Sequence, residues 1–171
     1  MIRNSRIYYP LAATWVIADV LTKRWALTFL TDHGGSYPVI GDYLRFTLVM
    51  NKGMAFGLHF GEWSRWILVG FVLITLGLIV HLYRETPEND KVQTVALALI
   101  TGGAIGNLID RLRSADGVVD FIDVGIGTHR FYIFNVADAG VSIGGALLVL
   151  LLWSGAERTK KAGQAQVSPP N

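Results

Sequence analysis

Three aspartates in the C-terminal half of the chain fall in helix-end, loop and helix-start contexts. Asp110 closes an apolar run, Asp120 lies in Val118-Val119-Asp120-Phe121-Ile122-Asp123, and Asp138 lies in Phe134-Asn135-Val136-Ala137-Asp138 at the head of the last apolar run. Charged groups at or near membrane depth cost several kcal/mol unless paired or hydrated, so they mark functional positions by default. Two carboxyl groups a few ångströms apart cannot both ionise cheaply, so they share a proton and their pKa values separate. One can then deprotonate a water while the other protonates a carbonyl oxygen. A short connection could bring Asp120 and Asp138 together for such hydrolysis, with no metal and no covalent nucleophile.

Plainer roles fit the same residues. Asn135 could be a helix N-cap with Asp138 at N3, where a carboxylate accepts exposed backbone amides and meets the positive end of the helix dipole. Asp120 could end a strand in a solvated loop, and Asp123 could compete with it. Spacing alone leaves these alternatives open.

Other chemistries find little footing. Cysteine is absent, which removes disulfides, thiolate metal sites and a Cys nucleophile. His33, His59, His81 and His129 are isolated, and there is neither an H-E-x-x-H nor a G-x-S-x-G pattern. No metal and no cofactor are expected. The formal charge of +2 comes from scattered residues, with no basic run or aromatic-basic interleaving, so nucleic acid is not an expected partner.

The remaining polar residues read as support. Asp19 and Lys23 are spaced i, i+4 and can share their burial cost as a structural bridge, with a substrate-facing role still open. Asp110 and Arg111 fit an ion pair or a helix-end anchor, with Asn107 one turn earlier on the same face. The pairs Gly102/Gly106 and Gly140/Gly144 fit small-xxx-small packing, which would set the third and fourth helices side by side.

The elements that must position these groups follow from composition. The chain has 171 residues, 51% of them hydrophobic and 16% charged, a balance unusual for a water-soluble domain. A span needs roughly 20 apolar residues, and four runs qualify: Tyr9 to Leu30, Trp66 to Tyr83, Val92 to Leu112 and Phe134 to Trp153. Asp19 interrupts the first, which reads as a retained span and not a cleaved leader. Tyr43 to Met50 and Val118 to Ile122 are strand-like, rich in β-branched and aromatic residues, and an even count of spans puts both on one side of the membrane. The N-terminus, the link Arg84 to Lys91 and the tail with Arg158, Lys160 and Lys161 then share the other side, which fits cytoplasmic termini. The expected fold is therefore an all-α polytopic membrane protein. It has four transmembrane helices, a small extracytoplasmic β-rich surface segment, one membrane domain over residues 1–158 and a polar, disordered cytoplasmic tail over 159–171.

Five ordered motifs carry a resemblance across nearly the whole length: Asp19-Val20-Leu21-Thr22-Lys23, Asn51-Lys52-Gly53-Met54-Ala55-Phe56-Gly57, Gly106-Asn107-Leu108-Ile109-Asp110-Arg111, Val118-Val119-Asp120-Phe121 and Phe134-Asn135-Val136-Ala137-Asp138. Together they resemble the lipoprotein signal peptidases (signal peptidase II). The resemblance implies a bacterial inner-membrane aspartic endopeptidase whose active site lies near the extracytoplasmic face. Its substrates would be diacylglyceryl-modified prolipoproteins, with membrane lipids as surroundings, and it would cut on the N-terminal side of the lipidated Cys. By motif match the catalytic aspartates correspond to Asp120 and Asp138. Asn51, Gly53, Asn107, Asp110, Arg111 and Asn135 correspond to substrate-binding or supporting residues, and Asp19 with Lys23 to a structural or assisting pair. The segment around residues 40 to 60 would cradle the substrate. Met54 departs from the smaller residue common at its position, and Ser114 to Gly117 looks like a variable loop.

Two rival readings remain. A small transporter or channel could line an ion path with Asp19, Asp110 and Asp138, although no convincing internal repeat is present. A non-enzymatic scaffold could use the same charges and glycine seams for assembly.

Overall fold

A computed structural model of the chain describes residues 4–52 and 63–167, those after residue 154 as backbone alone. Helix α1 (Ser5–Asp32) leads through strands β1 (Ser36–Ile40) and β2 (Leu44–Asn51) to α2 (Ser64–Glu85). Helix α3 (Lys91–Arg113), strands β3 (Val118–Ile126) and β4 (His129–Arg130) and helix α4 (Val136–Val167) complete the described elements. Each of the four apolar runs forms a helix; α1, α2 and α3 overrun the expected limits at both ends, whereas α4 begins two residues after Phe134 and runs on to Val167.

Three of these helices, α2, α3 and residues 136–154 of α4, are long and apolar enough to cross a membrane. Helix α1 has the length but carries Asp19, Lys23 and Arg24 in its middle. The first two are buried in the protein and face the bundle, while Arg24 is exposed.

Helix α3 is central, packed against α1, α4 and α2, and small residues explain how. A Cβ on Gly103 would strike the Ala137 carbonyl of α4, one on Gly106 the Asp19 carboxylate of α1, and one on Gly102 the Trp15 side chain at 2.7 Å. Gly102 therefore serves the α1 seam rather than the α4 seam expected for it, and Gly140 of α4 also meets Trp15. Close backbone approach of this kind supplies the dispersion contacts that hold helices together where water is absent.

The two strand-like segments pair as expected, in an antiparallel sheet of order β1-β2-β3-β4. The β2/β3 register runs from Leu44↔Val124 to Asn51↔Val118 and is broken between Phe46 and Val49. Two residues of β2 there oppose the single Phe121, a bulge next to Asp120 of the kind that re-aims side chains beside functional sites. Phe121 is buried with Ala26 and Leu30, and Phe46, Leu48 and Val136 pack around them, which fixes the sheet to the end of α1. The N–H groups of Phe121 and Ile122 both donate to the Phe134 carbonyl at 3.1 and 2.8 Å, and Phe134 N–H returns a bond to Ile122 at 3.1 Å. These bonds draw β3 against the residue that precedes the α4 cap.

Candidate active site

The capping role and the paired-acid role of Asp138 coexist. The Asp138 N–H donates to Asn135 Oδ1 at 2.9 Å, and the Asn135 N–H donates to Asp138 Oδ2 at 3.1 Å. This is a reciprocal capping box. It leaves Asp138 Oδ1 to accept from Asn107 Nδ2 at 2.7 Å. Because Asn135 Oδ1 is occupied by an N–H, its Nδ2 must point the other way, and it donates to Asp120 Oδ1 at 2.7 Å. One asparagine thus holds both carboxylates. Asn51, at the end of β2, donates Nδ2 to Asp120 Oδ2 at 3.0 Å.

The orientation of Asn107 is fixed by a similar argument. Its Oδ1 accepts from Lys23 Nζ at 2.9 Å and from Asn135 Nδ2 at 3.1 Å. An ammonium can only donate, so Asn107 must turn its own Nδ2 toward Asp138. Lys23 also lies 2.7 Å from Asp19 Oδ2 and 2.8 Å from Asp110 Oδ2. Three oxygens therefore surround its three N–H groups. That oxygen of Asp19 is buried and has no other partner among the described residues. The other oxygen of Asp19 accepts from the Ala137 N–H at 2.8 Å in the first turn of α4.

Asp110 pairs with Lys23 and not with its neighbour Arg111, which corrects one of the two expectations for that dipeptide. It also receives a long bond of 3.4 Å from the Val119 N–H. Arg111 donates to the Asn107 carbonyl at 3.1 Å, and Asp138, Asp120 and Asp110 lie within electrostatic reach of its guanidinium. Asp123 is committed elsewhere, accepting from Arg130 Nε at 2.5 Å and Thr47 Oγ1 at 3.0 Å. Gly53, expected at the site, lies outside the described residues, as do Met54 to Gly57 of the same motif.

Asp120 is 3% exposed. Burial, reinforced by the Asp138 charge, pushes its carboxyl up to about 6, against the opposing pull of the Asn51 and Asn135 amides. Charge and hydrogen bonding thus act in opposite directions on one acid, and desolvation wins. Among the described residues no three His, Cys, Asp or Glu side chains gather as a metal site would need.

Sequence reading missed Trp15. Its indole N–H donates to the Val136 carbonyl at 2.9 Å, while its ring fills the space left by Gly102 and Gly140. The two glycines were the available signal, since small residues on facing helices imply a bulky partner between them.

Two carboxylates held by shared amides at the end of a bundle of long apolar helices suit the class of membrane-embedded aspartic peptidases. The comparisons with known proteins narrow it. A family model described as signal peptidase (SPase) II matches residues 11–154. The lipoprotein signal peptidase of Caulobacter vibrioides is 43% identical over 155 residues, 86% of this chain and 87% of that protein. That of Hydrogenovibrio crunogenus is 38% identical over 92% of each chain. A solved bacterial membrane enzyme, determined by the in meso method at 2.3 Å, superposes with a TM-score of 0.75 at 32% identity, covering 86% of this chain and 88% of that one. The chain belongs to the signal peptidase II family, a family of aspartic peptidases in bacterial membranes. The transporter and scaffold readings lose their footing with that membership.

Proposed function

We propose that the protein removes the signal peptide from diacylglyceryl-modified prolipoproteins, with Asp120 as general acid and Asp138 as general base. The observation that most supports this is Asn135, whose cap geometry and single amide tie the two carboxylates together. Asp138 is held by the Asn107 amide and the Asn135 N–H, which fix its oxygens for the role of base. The resulting hydroxide adds to the carbonyl carbon N-terminal to the lipidated Cys while Asp120 protonates the carbonyl oxygen. Asp120 then recovers a proton from the gem-diol as the C–N bond breaks, and Asp138 delivers its proton to the departing Cys nitrogen. The products are a signal peptide ending in a carboxylic acid and a lipidated Cys with a free amine.

The membrane arrangement belongs to the same proposal. Helix α1 is the fourth span, its Asp19 and Lys23 turned inward, and the sheet lies at the extracytoplasmic surface with both termini cytoplasmic. Asn107, Asn51, Asp110 and Arg111 hold the acids and substrate, Lys23 with Asp19 acts through Asn107, and Gly53 belongs to the substrate cradle. A substrate anchored by its acyl chains reaches this site laterally, and carboxylates near the interface still obtain water.

The direct test is release of the signal peptide from a prolipoprotein by the protein reconstituted in lipid. Release from the diacylglyceryl-modified precursor, and none from the same precursor without its lipid, is expected. Equal release from both would remove the lipid requirement, and no release from either would remove the function.

The raised Asp120 carboxyl sets a pH dependence. An acid must be protonated to donate, so kcat/KM of the free protein falls as pH rises through about 6. The linkage to stability has the same sign. Below the ordinary value of 3.8 the group is neutral whether folded or unfolded, and between there and about 6 ionisation favours the unfolded chain. In Asn51→Ala a donor to the charged form is gone, so Asp120 holds its proton to higher pH and the alkaline limb of the kcat/KM profile moves upward. A limb that stays in place or moves down would reject the assignment of Asp120 as the acid.

A further inference from the structure

At the end of the bundle remote from the sheet, α1 and α2 touch through stacked rings, Tyr8 and Tyr83, with centroids 4.0 Å apart. They share little other packing. A cleft of about 1090 Å³ opens between them, near the upper limit of roughly 300–1,000 Å³ usual for ligand pockets. Ala13, Val16 and Val80 give it apolar walls, and Arg6 and Arg84 stand at its outer end. No carboxylate lines it, and among the described residues neither arginine has an ion-pair partner. On the other flank of α2 a smaller cleft of about 420 Å³ carries Asp90 and no basic residue. The two clefts therefore differ in charge while sharing apolar walls.

We propose that the α1/α2 cleft binds an anionic phospholipid, its phosphate taken by Arg6 and Arg84 and an acyl chain laid along Ala13, Val16 and Val80. The tyrosines suit this depth, since their rings sit where apolar and aqueous regions meet. Arginine matches phosphate with a planar fork of donors. Neutral lipid could cover the same walls, but it would leave two arginines beside a headgroup of no net charge. The site shares no residue with Asp120, Asp138 or their supports.

The full-length protein in detergent is mixed with equal amounts of phosphatidylglycerol and phosphatidylcholine of identical acyl chains, and retained lipid is read by native mass spectrometry. Each arginine beside an anionic headgroup contributes about fivefold, so a preference for phosphatidylglycerol of roughly tenfold or more is expected. Arg6→Gln with Arg84→Gln is expected to bring the ratio near one, Asp90→Asn to leave it unchanged, and Ala13→Trp to lower retention of both lipids. Equal retention by wild type, a preference that survives the double substitution, or undiminished binding in Ala13→Trp would overturn the proposal. Matching thermal unfolding of the variants shows that the fold is intact.

Discussion

Asp120→Asn and Asp138→Asn are each expected to lower kcat for prolipoprotein cleavage roughly a thousandfold, while Asp123→Asn keeps most of the activity. One positioned general acid or base contributes about 10² to 10⁴, and in the proposed cycle each aspartate moves a proton twice. Asparagine keeps the size of the side chain and can still accept from Asn135 or Asn107. A buried neutral amide costs less than a buried charge, so Asp120→Asn at pH 7 is expected to be no less stable than wild type. Asp123 serves as the control because its oxygens are taken by Arg130 and Thr47. Measured in one reconstituted assay, with thermal unfolding alongside, full activity in folded Asp120→Asn or Asp138→Asn would end the dyad reading.

Lys23→Met is expected to destabilise the protein by about 3–5 kcal/mol, the usual cost of leaving buried charges without their partner. Asp19 is fully buried and Lys23 only 2% exposed, and one ammonium serves carboxylates from two helices. The triple substitution Asp19→Asn, Lys23→Met, Asp110→Asn removes every charge in the cluster and is expected to restore folding. It will not restore full activity. With no ammonium at its Oδ1, Asn107 keeps only the longer bond from Asn135 Nδ2 and loses the charged donor that helps direct its own Nδ2 to Asp138. The triple variant should therefore show reduced kcat with KM little changed. Wild-type stability in Lys23→Met, or wild-type kcat in the triple variant, would show that the cluster neither holds the fold nor orients the site.

The parts of this architecture that depend on runs of neighbouring residues were legible in the sequence. Uninterrupted apolar stretches gave α2 and the core of α3 and α4, and β-branched and aromatic residues gave β2 and β3. The Asn135 and Asp138 spacing exposed the cap, because both ends of that interaction lie within one turn. Long-range pairing was not legible. Lys23 and Asn107 are 84 positions apart, and nothing in either neighbourhood names the other. The sequence suggested Arg111 as a partner for Asp110 because they are adjacent, yet successive helical residues point to different faces, and Lys23 from α1 fills the place. By spacing alone Asp123 could compete with Asp120; the motif match favoured Asp120, and the structure commits Asp123 to Arg130 and Thr47. The bulge opposite Phe121 left no local mark at all.

The sheet has a consequence for how the molecule divides. β1 and β2 come from the connection between α1 and α2, and β3 and β4 from the connection between α3 and α4. Both acids, with Asn107 and Asn135, reside in the later half of the chain, whereas Lys23, Asp19 and Asn51 reside in the earlier half. On the proposed reading the reactive groups all come from the later half and part of their alignment from the earlier one, so neither half holds the complete site. During synthesis, β2 stands with an open edge until β3 emerges to pair with it, and that pairing brings Asn51 to Asp120. On the proposed reading, a freshly made chain becomes able to cut peptides only once that joining step is complete.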